Sequence, residues 1–290
     1  MKVLLLGHKG MLGCDLAAQF RYRHEVIGMD KGEIDITRAS ECRGAIDEVR
    51  PELVINAAAF TNVDGCETAR EECFAVNAEA VKNIATACSD RSIPLVHYST
   101  DYVFDGNAAR PYLEDDACNP INTYGASKLT GEHYLRRLTD NYLLIRTAWL
   151  YGANGRSFVQ SILECARATG KLSVVDDQIG SPTCSRDLAA ATELLVDKNA
   201  RGIFHVTNRG SCTWFDFARK ILQEAHLEKV ELLPIKTGDL ARAAKRPAYS
   251  VMSGQKFVAT TGKTMQPWQL AFSDYYRYIT SRTCCADVCR

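Results

Sequence analysis

Residues 3–13 read Val3-Leu4-Leu5-Leu6-Gly7-His8-Lys9-Gly10-Met11-Leu12-Gly13, four apolar residues followed by three glycines spaced three apart. The apolar run predicts a buried strand, and a helix is predicted from Met11 onward. Glycines in such a turn let the backbone approach a pyrophosphate, and the free N–H groups of the helix N-terminus attract its charge. A second predicted strand ends at Asp30, 17 residues past Gly13, where a carboxylate can accept hydrogen bonds from an adenosine ribose. The pattern predicts a dinucleotide-binding turn.

The residues around Asp30 leave the choice of dinucleotide open. A carboxylate at the end of this strand favours the free ribose diol of NADH. Lys9 in the turn and Lys31 beside the acid could instead bind the 2′-phosphate of NADPH. We therefore expect either NADPH or NADH as the cofactor.

Short apolar runs alternate with amphipathic stretches along the first half of the chain. Strands are predicted at 3–6, 25–29, 53–58, 95–99 and 142–146, and helices at 11–21, 41–49, 70–88 and 124–137. This rhythm is typical of parallel βαβ units, and apolar strands without alternation are expected where both sheet faces are covered. We expect an α/β fold with a Rossmann-type doubly wound parallel sheet and a smaller mixed α/β C-terminal part. The dinucleotide-binding domain is predicted at 1–150 and a mainly substrate-binding domain at 151–290, with the chain returning to the sheet around 185–206.

Composition excludes several classes of protein. The 290 residues carry 35 Lys and Arg against 35 Asp and Glu, which argues against a nucleic-acid partner, because binding to phosphate backbones requires excess positive charge. No apolar run approaches the roughly 20 residues of a membrane span, and the first residues lack the cleavage pattern of a signal peptide. We expect a cytoplasmic protein whose partner is a small molecule, acting as a monomer or a homodimer.

The 12 cysteines are scattered, with no C-x-x-C pair. Zinc sites usually bring ligands in such closely spaced pairs, and most of these cysteines stand in apolar patterns where they act as small hydrophobic residues. Cys284, Cys285 and Cys289 are expected in an exposed tail. No metal site is predicted.

Tyr124 and Lys128 stand four residues apart at the start of a predicted helix, so their side chains lie on one face. A tyrosine has an ordinary pKa near 10, and a nearby cation such as Lys128 is expected to lower it. Thr100 follows the strand predicted at 95–99, at the sheet edge where open parallel sheets bind ligands. A hydroxyl, a phenol and a lysine that meet at a nicotinamide site predict carbonyl reduction: Thr100 binds the carbonyl oxygen, Tyr124 donates the proton, and Lys128 holds the cofactor ribose.

These motifs resemble the extended short-chain dehydrogenase/reductase superfamily and, within it, the dTDP-4-dehydrorhamnose reductase family. The narrower resemblance rests on Asn56-Ala57-Ala58-Ala59-Phe60-Thr61-Asn62-Val63-Asp64, on residues 99–106, 120–132 and 146–152, on Asp177-Gln178-Ile179-Gly180-Ser181-Pro182-Thr183 and on Arg246-Pro247-Ala248-Tyr249-Ser250. It covers nearly the whole chain in order. The implied reaction is NAD(P)H-dependent reduction of the C4 ketone of dTDP-4-dehydro-6-deoxy-L-mannose to dTDP-L-rhamnose, a nucleotide-sugar step in polysaccharide biosynthesis.

The resemblance also implies site residues. Thr100, Tyr124 and Lys128 would be the catalytic set. The cofactor would lie along Gly7, Gly10, Met11, Leu12, Asp30, Asp35, Ile36, Ala57, Ala58, Ala59, Tyr124 and Lys128. The sugar nucleotide would meet Val103, Phe104, Trp149, Arg246 and Ser250. Some members of the family hold Mg²⁺ between subunits, and no such metal is predicted here.

Two other readings stay open. Another nucleotide-sugar reductase or an epimerase would use the same three residues, and Ser157 and Met252 depart from the family pattern on the substrate side. A non-catalytic NADP-binding regulatory subunit would bind the cofactor without turnover. A dehydratase is disfavoured, because Tyr102 stands where those enzymes need a second carboxylate after Asp101.

Overall fold

The computed structural model describes residues 1–287, with side chains described as far as Ser281. The strands are β1 (Lys2–Leu6), β2 (Glu25–Met29), β3 (Leu53–Asn56), β4 (Leu95–Thr100), β5 (Tyr142–Thr147), β6 (Leu150–Tyr151), β7 (Lys171–Val175), β8 (Ile179–Gly180), β9 (Thr183–Cys184), β10 (Gly202–His205), β11 (Cys212–Thr213) and β12 (Glu231–Ile235). The helices are α1 (Met11–Phe20), α2 (Ala39–Val49), α3 (Gly65–Thr68), α4 (Arg70–Phe74), α5 (Ala80–Ser89), α6 (Thr123–Leu138), α7 (Phe158–Thr169), α8 (Ser185–Asp197), α9 (Trp214–Glu224), α10 (Gln255–Thr261) and α11 (Trp268–Asp287). The predicted tail cysteines Cys284, Cys285 and Cys289 lie outside the residues whose side chains are described.

Six parallel strands form the central sheet in the order β10-β5-β4-β3-β1-β2. Every residue of β3 and β4 is buried, as are four of the five residues of β1, because helices cover both faces. The predicted Rossmann-type fold class is confirmed.

The strand order reverses beside β1. The chain passes from β1 to β2 on one side and then returns to place β3 on the other side. In open parallel sheets, the crevice outside the carboxyl ends of the strands at such a reversal is where ligands bind. Here the crevice lies between the turn after Leu6 and the segment after Asn56, which are paired residues at the ends of β1 and β3.

Two apolar layers enclose the sheet. One joins its strands to α1 and α8, with Leu16, Phe20 and Leu188 at its centre. The other joins the strands to α2 and α5 through residues such as Ile46 and Ile84. Helix α8 therefore packs on the central sheet, and β10 is one of the six strands of that sheet.

Apart from α8, β10 and α10, the chain beyond Thr147 builds a smaller part beside the carboxyl edge of the sheet. Within the described residues it contains the two-stranded pairs β6-β9, β7-β12 and β8-β11. Its core is rich in aromatic rings, with Tyr151, Phe217 and Phe272 in mutual contact. None of the helices within residues 1–287 combines the length and the hydropathy that crossing a bilayer requires.

The helix predicted at 70–88 contains an irregularity. A π-helical segment (Ala75–Glu79) joins α4 to α5. At its centre, Asn77 donates to the carbonyl of Phe60 (3.0 Å) and to Ser127 Oγ (3.0 Å), and it accepts from the Phe60 N–H (2.9 Å). The widened turn thus ties the loop after β3 to helix α6, and such turns are frequent at functional sites.

Candidate active site

Two adjoining cavities occupy the carboxyl edge of the sheet. The first, of about 730 Å³, lies beside the glycine turn and the end of β2, and we call it the turn cavity. The second, of about 530 Å³, contains Tyr124 and is called the tyrosine cavity. Gly10, Ala57 and Ala59 line both, so the two cavities adjoin across the strand reversal. Among the other predicted cofactor residues, Gly7, Asp30, Asp35, Ile36 and Ala58 line the turn cavity, and Met11 and Leu12 line the tyrosine cavity.

The glycine turn is shaped for close approach of a backbone and a ligand. Gly7 has a φ of +78°, and a Cβ there would lie 2.7 Å from the Ala58 nitrogen. A Cβ on Gly13 would overlap the Gly7 carbonyl oxygen. Gly10 caps α1 without a side-chain hydrogen bond, so the first N–H groups of the helix stay available to a ligand. These features fit the pyrophosphate of a dinucleotide.

Asp30 is held at the end of β2 by backbone donors. Its carboxylate accepts from the N–H groups of Lys31 (2.8 Å) and Lys9 (3.1 Å). Burial acts to raise the pKa of Asp30, but these bonds outweigh it and the pKa is lowered. The Lys9 ammonium is paired with Glu33 at 2.6 Å. The carboxylate is therefore charged and fixed in the wall of the turn cavity.

Thr100, Tyr124 and Lys128 line the tyrosine cavity together, as the spacing predicts. Asn122 caps α6 by accepting from the Gly125 N–H at 2.7 Å, which places Tyr124 in the first turn of the helix. Thr100 ends β4, and its hydroxyl donates to Asp101 Oδ1 at 3.0 Å, close to the phenol of Tyr124. The site thus joins a strand end to a helix start.

The prediction that Lys128 lowers the pKa of Tyr124 is wrong for this structure. Burial and the charge of Asp101 raise that pKa, and the Thr100 hydroxyl only partly opposes them. Lys128 Nζ instead donates to the Tyr98 carbonyl at 2.6 Å, and burial lowers the pKa of Lys128 to about 8. Tyr124 is therefore a protonated phenol at neutral pH.

Asp101 is a site residue to which the sequence analysis gave no role. It is 2% exposed, and burial raises its pKa to about 6, although the neighbouring hydroxyls of Ser250 and Thr100 favour its charged form. Its position directly after Thr100, at the carboxyl end of a buried strand, is the signal that could have indicated it. Asp101 brings a titrating charge next to the phenol.

Only some of the residues that are expected to contact the sugar nucleotide line the tyrosine cavity. Trp149 lines the tyrosine cavity with a φ of +48°, stacked on Trp214 at 3.5 Å between ring centroids. Ser250 lies against Asp101. Val103 and Phe104 are completely buried and line neither cavity; Phe104 stacks on Tyr112 instead, at 4.1 Å.

Arg246 forms a two-pronged ion pair with Asp64. Its two terminal nitrogens donate to the two carboxylate oxygens at 2.8 and 2.7 Å, and the pKa of Asp64 falls to about 2 because of this contact. Asp64 therefore fixes the orientation of the Arg246 guanidinium and balances its positive charge. Within the part of the chain that the structure describes, no group of three or more His, Cys, Asp or Glu side chains is arranged to hold a metal ion.

Comparison with known proteins gives consistent matches over nearly the whole length of the chain. A family model described as the RmlD substrate binding domain matches residues 1–280. The chain is 37% identical to a dTDP-4-dehydrorhamnose reductase of Aggregatibacter actinomycetemcomitans, covering 96% of this chain and 99% of the relative. It is 36% identical to a dTDP-4-keto-6-deoxy-D-glucose reductase of Streptomyces niveus, covering 94% and 96%. A crystal structure of a dTDP-4-dehydrorhamnose reductase from Bacillus anthracis in complex with NADP superposes with a TM-score of 0.93 at 36% identity, covering 96% and 99%.

Proposed function

Because the chain belongs to the family described as the RmlD substrate binding domain, whose relatives include dTDP-4-dehydrorhamnose reductases, we propose that it is an NAD(P)H-dependent reductase of a nucleotide-linked 4-keto sugar. The substrate we propose is dTDP-4-dehydro-6-deoxy-L-mannose, and the product is dTDP-L-rhamnose. The main support for the proposal is that Thr100, Tyr124 and Lys128 line one cavity, and that this cavity adjoins the glycine turn.

Tyr124 is proposed to be the proton donor. Reduction of a ketone places negative charge on its oxygen, which requires a donor that still holds its proton at neutral pH. Burial keeps the Tyr124 phenol protonated, and the Thr100 hydroxyl lies in the wall of the same cavity. A nicotinamide, when bound, supplies the hydride for C4. Thr100 and Tyr124 together would bind the carbonyl oxygen and deliver the proton to it.

Lys128 is proposed to hold the cofactor ribose and to restore the proton of Tyr124. With a pKa near 8, its amine can lose and regain a proton at physiological pH. Both Lys128 and Tyr124 lie along the wall of one cavity, four residues apart on α6. Trp149 lines the same cavity and stacks on Trp214 of the C-terminal part, and we expect it to contact the sugar.

The identity of the sugar is a separate question from the reaction, because one relative acts by name on a different sugar. The relative from Streptomyces niveus is named for a 4-keto-6-deoxy-D-sugar, and it is nearly as similar as the rhamnose-forming relative. A D-sugar substrate is therefore the second candidate. The position of Arg246, already paired with Asp64, does not discriminate between them, because it would contact the nucleotide part of either sugar.

The test is turnover with product identification. Purified protein is given NADPH or NADH together with the dTDP-linked 4-keto-6-deoxy sugar in its L-lyxo or its D-xylo form, and the product is identified by NMR. We expect multiple turnovers with the L-sugar and formation of dTDP-L-rhamnose. Turnover with the D-sugar alone would support the second candidate. Cofactor binding without turnover of either sugar would contradict both and favour a regulatory subunit.

A further inference from the structure

His97 is completely buried, and its imidazole contacts the side-chain nitrogen of Lys128. It stands in β4, and its register partner in β3 is Asn56, so both side chains leave the same face of the sheet. Asn56 Nδ2 lies 3.2 Å from His97 Nδ1, and His97 Nε2 lies 3.4 Å from Lys128 Nζ. The three side chains form one continuous line of contacts that ends at the tyrosine cavity.

The position of the imidazole proton follows from the bonding of Asn56. Asn56 Oδ1 accepts from the Ala58 N–H at 3.1 Å, which leaves the amide nitrogen facing the ring. That nitrogen can only donate, so His97 Nδ1 must accept. Burial and the neighbouring charge of Lys128 lower the pKa of His97 well below its usual value, so the ring is neutral. The single ring proton therefore lies on Nε2, pointing at Lys128.

We propose that Asn56 and His97 are positioning residues for Lys128: Asn56 fixes the Nε2–H tautomer of His97, and that N–H donates to Nζ and favours the neutral amine. An ammonium cannot accept a hydrogen bond, whereas a neutral amine can. The pair thereby sets the pH range in which Lys128 exchanges its proton. This inference rests on the proposed function for its catalytic meaning, although the contact itself does not.

Other groups act on Lys128 as well. Glu132, one turn further along α6, and Cys73 of α4 both raise the pKa of Lys128. Glu132 is itself paired with Arg146 of β5 at 2.7 Å, so its charge is largely compensated. The Tyr98 carbonyl accepts a hydrogen bond from Nζ in either state of the amine. His97 is thus the neighbour that presents a hydrogen-bond donor to Nζ.

Three variants test the inference by NMR on the full chain without substrate. Lysine side chains carry a ¹³C label at Cε, Lys128→Met assigns the signal, and the titration midpoint of Lys128 is measured. We expect a midpoint near pH 8 in the wild type. His97→Asn keeps an amide oxygen as acceptor for Asn56 but lacks the ring Nε2–H that faces Nζ, and it should raise the midpoint by about one pH unit. Asn56→Asp requires a proton on Nδ1, turns Nε2 into an acceptor, and should raise the midpoint as well.

His24→Asn is the matched control, because it removes a buried imidazole in the turn between α1 and β2, outside the lining of the tyrosine cavity, and should leave the midpoint unchanged. Long-range ¹H–¹⁵N spectra of the wild type report the tautomer directly, without any variant. A proton on Nδ1, or an unchanged midpoint in His97→Asn, would overturn the inference, because the added charge in Asn56→Asp raises the midpoint whatever the tautomer. An active reductase with unchanged midpoints contradicts this inference alone; an inactive protein with raised midpoints supports it and contradicts the proposed function alone.

Discussion

Asp101 shows how one buried carboxyl couples the site to stability. Its native pKa is about 6, above the value of roughly 3.9 expected in the unfolded chain. Between these two pH values the native state holds more protons than the unfolded state, so this group lowers the free energy of unfolding as pH rises through the window. Asp101→Asn removes the titrating group. We expect the variant to gain roughly 2–3 kcal/mol over wild type between pH 4 and pH 7, measured by urea unfolding at each pH.

Asp105→Asn is the control with the opposite sign. Hydrogen bonds from the Asn107 N–H and the Tyr112 hydroxyl lower the pKa of Asp105. Its contribution to stability is present above about pH 4 and is lost as the pH falls below that value, so the deficit of this variant relative to wild type should stay nearly constant from about pH 5 to 7 and shrink below pH 4. A difference between Asp101→Asn and wild type that does not change with pH would contradict the assigned burial of Asp101.

At the scale of residues, the sequence predicts the groups that spacing and strand ends bring together. Thr100, Tyr124 and Lys128 follow from a four-residue helical spacing and one strand end. His97 and Asn56 could not be predicted as partners, because their contact depends on the parallel register of β3 and β4. The pKa of Tyr124 was mispredicted for a related reason: burial and a neighbouring carboxylate are properties of the folded site.

At the scale of elements, the turn between β1 and α1 requires glycine for steric reasons. Gly7→Ala would place a Cβ 2.7 Å from the Ala58 nitrogen in a left-handed backbone conformation. The turn would have to shift away from β3, and the shift would displace the N–H groups that face the turn cavity. We expect NADPH affinity to fall at least about tenfold, a loss of about 1.4 kcal/mol, measured by fluorescence titration.

Gly44→Ala provides the comparison within another element. Gly44 lies inside α2, and a Cβ there would meet no atom within 4 Å. The substitution should raise the free energy of unfolding by up to about 1 kcal/mol and leave NADPH affinity unchanged. Equal NADPH affinity in the two variants would contradict the role assigned to the glycine turn.

Elements with strong periodicity were predicted within a few residues. The strand predicted at 25–29 matches β2, and the helix predicted at 124–137 corresponds to α6. The π-helical segment within the helix predicted at 70–88 was missed, because Asn77 widens the turn through bonds to distant backbone and to Ser127. Helices α10 and α11 and strand β12 were not predicted individually, since the pattern after Tyr151 has no regular alternation.

At the scale of the whole molecule, the Asp64–Arg246 ion pair connects the segment after β3 with a loop 182 residues later. Asp64 also accepts from the Ala244 N–H at 3.0 Å, so one carboxylate holds two points of that loop. Arg246→Lys keeps the charge but loses the fork. We expect a modest loss of stability, about 1 kcal/mol, together with a raised KM for the nucleotide sugar and an unchanged NADPH affinity.

A double-mutant cycle with Asp64→Asn isolates the pair. If both side chains act through their mutual contact, the double variant should be no less stable than the less stable single variant. Additive losses of stability would show that Arg246 and Asp64 act independently. A raised KM for the cofactor rather than for the sugar would contradict the placement of Arg246 on the substrate side.

The most direct test of the account compares Tyr124→Phe with the wild type in NADPH and NADH oxidation with the dTDP-linked 4-keto-6-deoxy-L-sugar. Loss of the phenolic proton should lower kcat by a factor of about 100 to 10,000 while cofactor affinity stays within about twofold. Tyr151→Phe is the matched control, because it removes a buried hydroxyl that has no hydrogen-bond partner among the described residues. It should keep the wild-type rate. A Tyr124→Phe enzyme that turns over as fast as Tyr151→Phe would contradict the assignment of Tyr124 as the proton donor.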